Sequence, residues 1–399
     1  MPPSPELRLL AELCSCPTVP FAESAVLEFV CRWARRRRLH LARDASGNLL
    51  VSTLPPGRLR PGQRRLVLAA HTDHPGFVAH ARDGRTLTAH FRGGVRADHV
   101  MGAAVRFYPD PAAPGVRGRV VATAGEPYPV SALVELPGNA PPLPPGTPGM
   151  FDLTPARFTR THFHSRACDD LAGAAAALAA LDAIARRKPP TPVAVLLTRA
   201  EEVGFIGALA AVMDRSGQGL LRKRHDLLLA IECSAEQPYA RQHDGVVLRV
   251  GDRTSIFNSS LTAFLADTAR ALAERDPDFR YQRALMPGGT CESTVYDAWG
   301  YHAAAVCVPL GNYHNMPPTP GLPARTVTRS SDRPKAAAAP ARVAAEHISL
   351  ADYRNMVKLF IALAEQAHTY RPGHVALKQR LTQRFRSLRP LLQRAAGPA

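Results

Sequence analysis

No stretch of the 399-residue chain is apolar for long enough to cross a membrane, so nothing in it reads as a transmembrane helix. The opening residues, Met1-Pro2-Pro3-Ser4-Pro5-Glu6, lack the basic-then-apolar pattern of a secretory signal. Cysteine offers no framework either. The seven residues (Cys14, Cys16, Cys31, Cys168, Cys233, Cys291 and Cys307) are an odd number, and no pair has zinc-knuckle spacing. Cys14 and Cys16 close a helical pattern and read as packing. A reduced, cytoplasmic setting is therefore expected. No internal repeat is visible, and no basic stretch is interleaved with aromatics, so a primary role in nucleic-acid binding rests on charge alone.

Acid is the scarcer charge: 33 Asp and Glu stand against 50 Lys and Arg, a net charge of +17 that would permit contact with polyanions. The excess is mostly arginine, spread along the chain. Its densest run, Arg35-Arg36-Arg37-Arg38, ends a predicted helix, where cations complement the dipole. After Tyr370 the tail carries Arg371, Lys378, Arg380, Arg384, Arg386, Arg389 and Arg394 with no acid, and reads as a basic amphipathic helix or a disordered arm. With 46% hydrophobic residues, the chain can bury one large core and a second module.

The periodicities predict an α/β architecture: a mixed open sheet flanked by helices, carrying an inserted small all-β barrel. Helices are expected at Leu7–Cys14 and Ala25–Trp33, and strands at Leu39–Ala42, Leu49–Thr53 and Leu66–Ala70. From about His80 to His164, short alternating runs (Thr86–Phe91, Ala103–Tyr108, Gly118–Ala124, Ala132–Leu136) separated by Gly, Pro and Asp give the barrel signature, with Pro137–Pro148 as a loop. The α/β pattern resumes with an alanine-rich helix at Leu171–Arg187 and a buried strand at Val193–Leu197. A helix to about Arg215, strands at Asp226–Ile231 and Gly245–Val250, a helix at Ser260–Glu274, a strand at Ala303–Leu310 and a helix at Ser349–His368 complete it. The expected organisation is a discontinuous catalytic domain (1–79 and 165–370), an inserted barrel (80–164) and the tail (371–399). Pro317–Val343, rich in Pro, Ala and Arg and without periodicity, is expected to be a mobile loop or linker within the catalytic domain.

Chemistry concentrates at predicted strand ends. His71 closes one strand, Glu201-Glu202 follow another, Glu232 ends a third and His314 follows a fourth, while Asp169 heads a helix. Open α/β sheets gather ligands at such ends. Each residue has a plain reading, as a turn residue or a helix cap. Glu232 is the hardest to dismiss, since an unpaired carboxylate on an apolar strand is costly. Together, two histidines and these carboxylates form a mixed nitrogen and oxygen set able to hold two divalent ions with one carboxylate bridging and another left free as a base. Asp73, two residues after His71, could accept that imidazole's other N–H.

His71-Thr72-Asp73, Asp169-Asp170-Leu171-Ala172-Gly173, Glu201-Glu202-Val203-Gly204, Glu232, Gly288-Gly289-Thr290 and Tyr313-His314 resemble, as an ordered series, the motifs of the dinuclear-metal aminopeptidases, in particular the glutamyl/leucyl family that assembles as tetrahedral dodecamers. The resemblance covers the chain from its first helix to about Ala364. The β insert between His71 and Asp169 fits it, whereas related carboxypeptidases and deacylases place their extra domain after the fourth ligand. The resemblance implies His71 and Glu232 on one metal, Glu202 and His314 on the other, Asp169 bridging, Glu201 as general base and Asp73 behind His71. The family usually has Asp where Glu232 and Cys291 stand, and an acid where His74 stands.

The expected activity is two-metal hydrolysis of amide bonds, releasing N-terminal residues from short peptides. Zinc is the first expected ion, with cobalt or manganese also suited to the ligands, and a homo-oligomer is the expected assembly. One alternative is a carboxypeptidase- or deacylase-type amidohydrolase. The other is a catalytically silent relative that binds a partner or polyanion through its basic tail.

Overall fold

The computed structural model describes residues 3–55, 58–214, 219–317 and 342–395. Helices α1 (Pro5–Cys14) and α2 (Ser24–Arg36) open the chain and bury the stripes their apolar spacing requires, Leu10 and Leu13 on the first and Val26, Val30 and Trp33 on the second. β1 (His40–Arg43) and β2 (Leu49–Ser52) form an antiparallel hairpin. β3 (Arg65–His71) is buried at every position, which is why its sequence is a continuous apolar run and does not alternate.

The chain then forms a closed barrel from β4 (Gly76–Asp83), β5 (Thr86–Arg92), the one-turn helix α3 (Ala97–Val100), β6 (Ala104–Phe107), β7 (Val116–Ala124), β8 (Ser131–Glu135) and β9 (Pro148–Phe151). The strands close in the order β4-β5-β8-β7-β6-β9. Phe77 packs edge-on against Phe91, Phe107 and Phe151 inside it. Alternation located β5 to β8 but missed β4 and β9. The first half of β4 is buried at each position, and β9 begins at Pro148, a first-residue position where a missing N–H is tolerated. The barrel strands therefore run from Gly76 to Phe151, where the sequence suggested 80–164. β10 (Arg157–Phe158) and β11 (His162–Ser165) rejoin the main sheet, β11 pairing with the strand at 346–349. Their alternation is the same in either sheet, so the pattern could not assign them.

Next come α4 (Leu171–Arg187), β12 (Val193–Thr198), α5 (Ile206–Met213), β13 (Asp226–Ala235), β14 (Val246–Asp252), α6 (Ser259–Ala273), β15 (Tyr281–Met286), α7 (Glu292–Ala298), β16 (His302–Gly311), β17 (Glu346–Ser349), α8 (Leu350–Gln366) and α9 (Val375–Ala395). The main sheet is mixed, with its path running β1-β2-β12-β3-β13-β16-β17-β11-β10 and β14 and β15 branching from β16. Leu66, Leu68 and Ala70 face one apolar cluster with α1, α2, α4, α6 and α8, while Val67 and Ala69 face a second with α5 and α7. Period-two alternation thus separates two layers of helices on one strand. α4 is rich in small residues because it lies close to the sheet. A Cβ on Gly173 would stand 2.6 Å from Cγ2 of Ile231.

β12, β3, β13 and β16 are parallel neighbours, so their carboxyl ends reach one edge together. Of the loop expected at Pro317–Val343, residues 318–341 lie outside the described residues. The basic tail forms helix α9, with Leu377, Leu381, Phe385, Leu388 and Leu392 exposed. Among the described residues, no helix is long and apolar enough to cross a membrane.

Candidate metal centre

The parallel strands bring together the residues that the sequence singled out. His71 is the last residue of β3, and its Nε2 lies 3.6 Å from Oδ1 of Asp169, 3.9 Å from Oε2 of Glu232 and 4.0 Å from Oε2 of Glu201. His314, just past β16, has its Nε2 3.0 Å from Oε1 of Glu202 and 3.6 Å from Oδ2 of Asp169. Among the donor groups that result are His71 with Asp169 and Glu232, and His314 with Asp169 and Glu202, each with its ligand atoms within 4.8 Å of one another; His71 also groups in this way with Glu201 and Glu202. Asp169 belongs to the first two.

The adjacent carboxylates diverge because the turn that carries them is fixed from behind. Asp73 accepts the backbone N–H of Glu201 through Oδ1 and that of Glu202 through Oδ2, each at 3.0 Å. Its carboxylate therefore holds the Glu-Glu turn, and the His71 Nδ1 sits nearer the Asp73 carbonyl, at 3.1 Å, than the Asp73 carboxylate, at 3.6 Å. Ala200 precedes the pair at φ 53°, a conformation unusual for a residue with a Cβ. It is held by Glu23, which accepts the Ala200 N–H at 3.0 Å and the Arg199 guanidinium at 2.8 Å. His314 is also left-handed, at φ 53°.

Glu346 had no signal in the sequence. It follows a non-periodic segment and begins a four-residue strand, yet it is fully buried and holds both halves of the centre. Its Oε2 accepts the N–H groups of Cys168, at 2.7 Å, and Asp169, at 3.2 Å, and its Oε1 accepts the His314 N–H at 2.8 Å. His74, noted for standing where an acid was expected, has Nδ1 2.8 Å from the Asp169 carbonyl and Nε2 3.2 Å from Oδ1 of Asn315. Cys291 is buried and its N–H donates to Asp252, while Glu292, also buried, accepts a hydrogen bond from Tyr296. Burial raises the Glu292 carboxyl to about 7.

Electrostatics sets the chemistry these groups can do. Burial pushes the Glu201 carboxyl well up; His71 opposes this, and the neighbouring carboxylates Glu232, Glu202 and Asp73 add to it. Glu232 rises to about 8, again through burial first. The carboxylates of Asp169, Glu201, Glu202 and Glu232 crowd two imidazoles, and a cation among them would relieve their mutual repulsion. Glu232 Oε1 is buried without a hydrogen-bond partner, and the buried Glu202 Oε1 and His314 Nε2 face each other at 3.0 Å. Buried donor atoms of this kind, in a mixed nitrogen and oxygen set, fit divalent metal ligation.

Residues 142–317 match the family model of the M42 glutamyl aminopeptidases. That interval contains Asp169, Glu201, Glu202, Glu232 and His314, while His71 and Asp73 precede it. No curated relative matches by sequence. Among solved structures, a TET aminopeptidase from the marine sediment archaeon Thaumarchaeota archaeon SCGC AB-539-E09 is 18% identical, with a TM-score of 0.70 over 91% of this chain and 97% of that one. The aminopeptidase APDkam598 from the archaeon Desulfurococcus kamchatkensis is 19% identical, with a TM-score of 0.69 over 93% and 98%. The Pyrococcus horikoshii TET1 peptidase, which can assemble into a tetrahedron or a large octahedral shell, is 19% identical, with a TM-score of 0.68 over 90% and 99%. These likenesses establish the fold. Taken with the family match and the paired donor groups built around Asp169, the chain is a metal-dependent aminopeptidase resembling the dinuclear-metal M42 glutamyl aminopeptidases.

Proposed function

We propose that the chain holds two divalent ions, with His71 and Glu232 on one, Glu202 and His314 on the other and Asp169 between them, and releases N-terminal residues from short peptides. The observation that carries this reading is Asp169, whose two oxygens face different histidines at 3.6 Å each. When bound, the ions polarise the scissile carbonyl and bring the pKa of a water toward neutrality. Glu201, as a carboxylate made more basic by its burial, takes the proton of the attacking water and delivers it to the leaving amine. Water is consumed, the C–N bond breaks, and the free amino acid and shortened peptide leave. Asp73 fixes the turn that carries Glu201 and Glu202 by accepting both backbone N–H groups.

Zinc suits this donor set first, with cobalt or manganese as alternatives. The setting is cytoplasmic and the assembly a homo-oligomer, with the inserted module near residues 80–164, most of it the barrel, contacting neighbouring subunits. The self-assembly described for the Pyrococcus horikoshii peptidase supports an oligomer. Elemental analysis with turnover on aminoacyl and N-acyl substrates, before and after chelation and metal return, tests the reading. Metal-restored cleavage of unblocked peptides supports it, and preference for N-acyl substrates would make the chain a deacylase-type amidohydrolase. No turnover with metal bound would leave the silent relative.

A further inference from the structure

A second group of imidazoles lies away from the centre just described. On β11, His162 and His164 share one face of the strand, and His164 pairs directly with His347 on β17. His243, from the β13–β14 loop, comes over this face, its ring centroid 4.7 Å from that of His162. The rings of His162 and His347 are 5.5 Å apart, and those of His164 and His347 are 5.4 Å apart.

The details set this group apart from a chance surface cluster. The Nε2 atoms of His162 and His243 face each other at 3.2 Å. Two nitrogens bound tetrahedrally to one ion at about 2.0–2.1 Å stand about 3.3 Å apart, so this spacing is that of two ligands of one metal. Each Nδ1 has a hydroxyl beside it, Thr161 Oγ1 at 2.9 Å from His162 and Ser349 Oγ at 3.1 Å from His243. An imidazole that gives its Nδ1 proton to such an oxygen presents an Nε2 lone pair. His243 is also fixed in place at φ 73°, with its N–H donating to Asp352 at 2.7 Å.

We propose that His162 and His243 form a separate binding site for a single borderline divalent ion such as Zn²⁺ or Ni²⁺, with water completing its shell. Carboxylates are not needed for such an ion, which takes neutral imidazole readily. Burial and the neighbouring rings lower the pKa of His162 and of His347 beside it, which favours the neutral form of each. Glu236, whose negative charge acts on both, offsets part of the ion's charge.

The test is zinc content after equilibrium dialysis of the full chain, comparing wild type with His162→Ala and with the double variant His162→Ala, His243→Ala. The expected result is one fewer ion per chain in the double variant, a weaker last site in the single variant, and unchanged peptide turnover in both. Equal zinc content in all three proteins overturns the proposal. His162→Ala alters one partly exposed side chain, so it keeps the comparison open should the double variant fold poorly. The readout is a difference between variants, so it stands whether or not the carboxylate-rich centre binds two ions.

Discussion

Asp169 holds Oδ1 3.6 Å from Nε2 of His71 and Oδ2 3.6 Å from Nε2 of His314, so one carboxylate spans the two halves of the centre. A residue in that position acts on both ions at once. Asp169→Ala is expected to lower the content of both, whereas Glu202→Gln, whose Oε1 stands 3.0 Å from His314, is expected to lose one. Elemental analysis of the two purified variants decides this. Loss of a single ion from Asp169→Ala would contradict the bridging role.

Glu201 and Glu202 are neighbours with different tasks. Glu201→Gln keeps the shape of the side chain but cannot accept a proton. It should retain near-full metal content and turn over at least roughly a hundredfold more slowly, the lower end of what removal of a general base costs. Paired measurements of metal and kcat separate the two residues. A Glu201→Gln variant that loses metal beside a Glu202→Gln variant that keeps it would exchange their roles.

Glu346 acts through the backbone. Glu346→Ala strands the buried N–H groups of Cys168, Asp169 and His314, each at a cost of about 1–3 kcal/mol. Glu346→Gln keeps one side-chain oxygen as an acceptor and should fall between the alanine variant and wild type. Chemical denaturation of the three proteins under identical metal conditions gives the order, and equal midpoints for all three would show that these contacts add nothing to stability.

Helix α9 has positive charge, no acid and an exposed apolar stripe. Ending the chain after Tyr370 should leave peptide turnover intact while weakening any binding to polyanions, and that binding should fall as salt rises. A folded truncation that no longer cleaves peptide would place the helix in the catalytic assembly instead.

Much of the centre was legible before any coordinates, because its residues sit where apolar strands stop. Val193–Leu197, Leu66–Ala70 and Asp226–Ile231 are runs too apolar to face water, and charged groups placed at their ends announce a site. The barrel was legible as alternation over Thr86–Phe91 and its successors, and α4 as a run of alanine. β4 and β17 were not legible, since β4 neither alternates nor forms a continuous apolar run and the four residues of β17 carry too little pattern to locate a strand.

The sequence by itself determined which side chains could do the chemistry and the order in which the chain supplies them. Local periodicity also determined most of the longer helices and strands, though not β4, β9 or β17. Only the tertiary structure decided which of those side chains meet. Parallel pairing of β12, β3, β13 and β16 put His71, Glu201-Glu202, Glu232 and His314 at one edge, although they come from positions more than two hundred residues apart. Antiparallel pairing of β17 with β16 and β11 turned Glu346 inward onto Asp169 and His314 while its neighbour His347, on the opposite side of β17, joined the second group of imidazoles. Adjacent residues on a strand point to opposite faces, and which face meets which neighbour is fixed by contacts between distant segments, which no local pattern records.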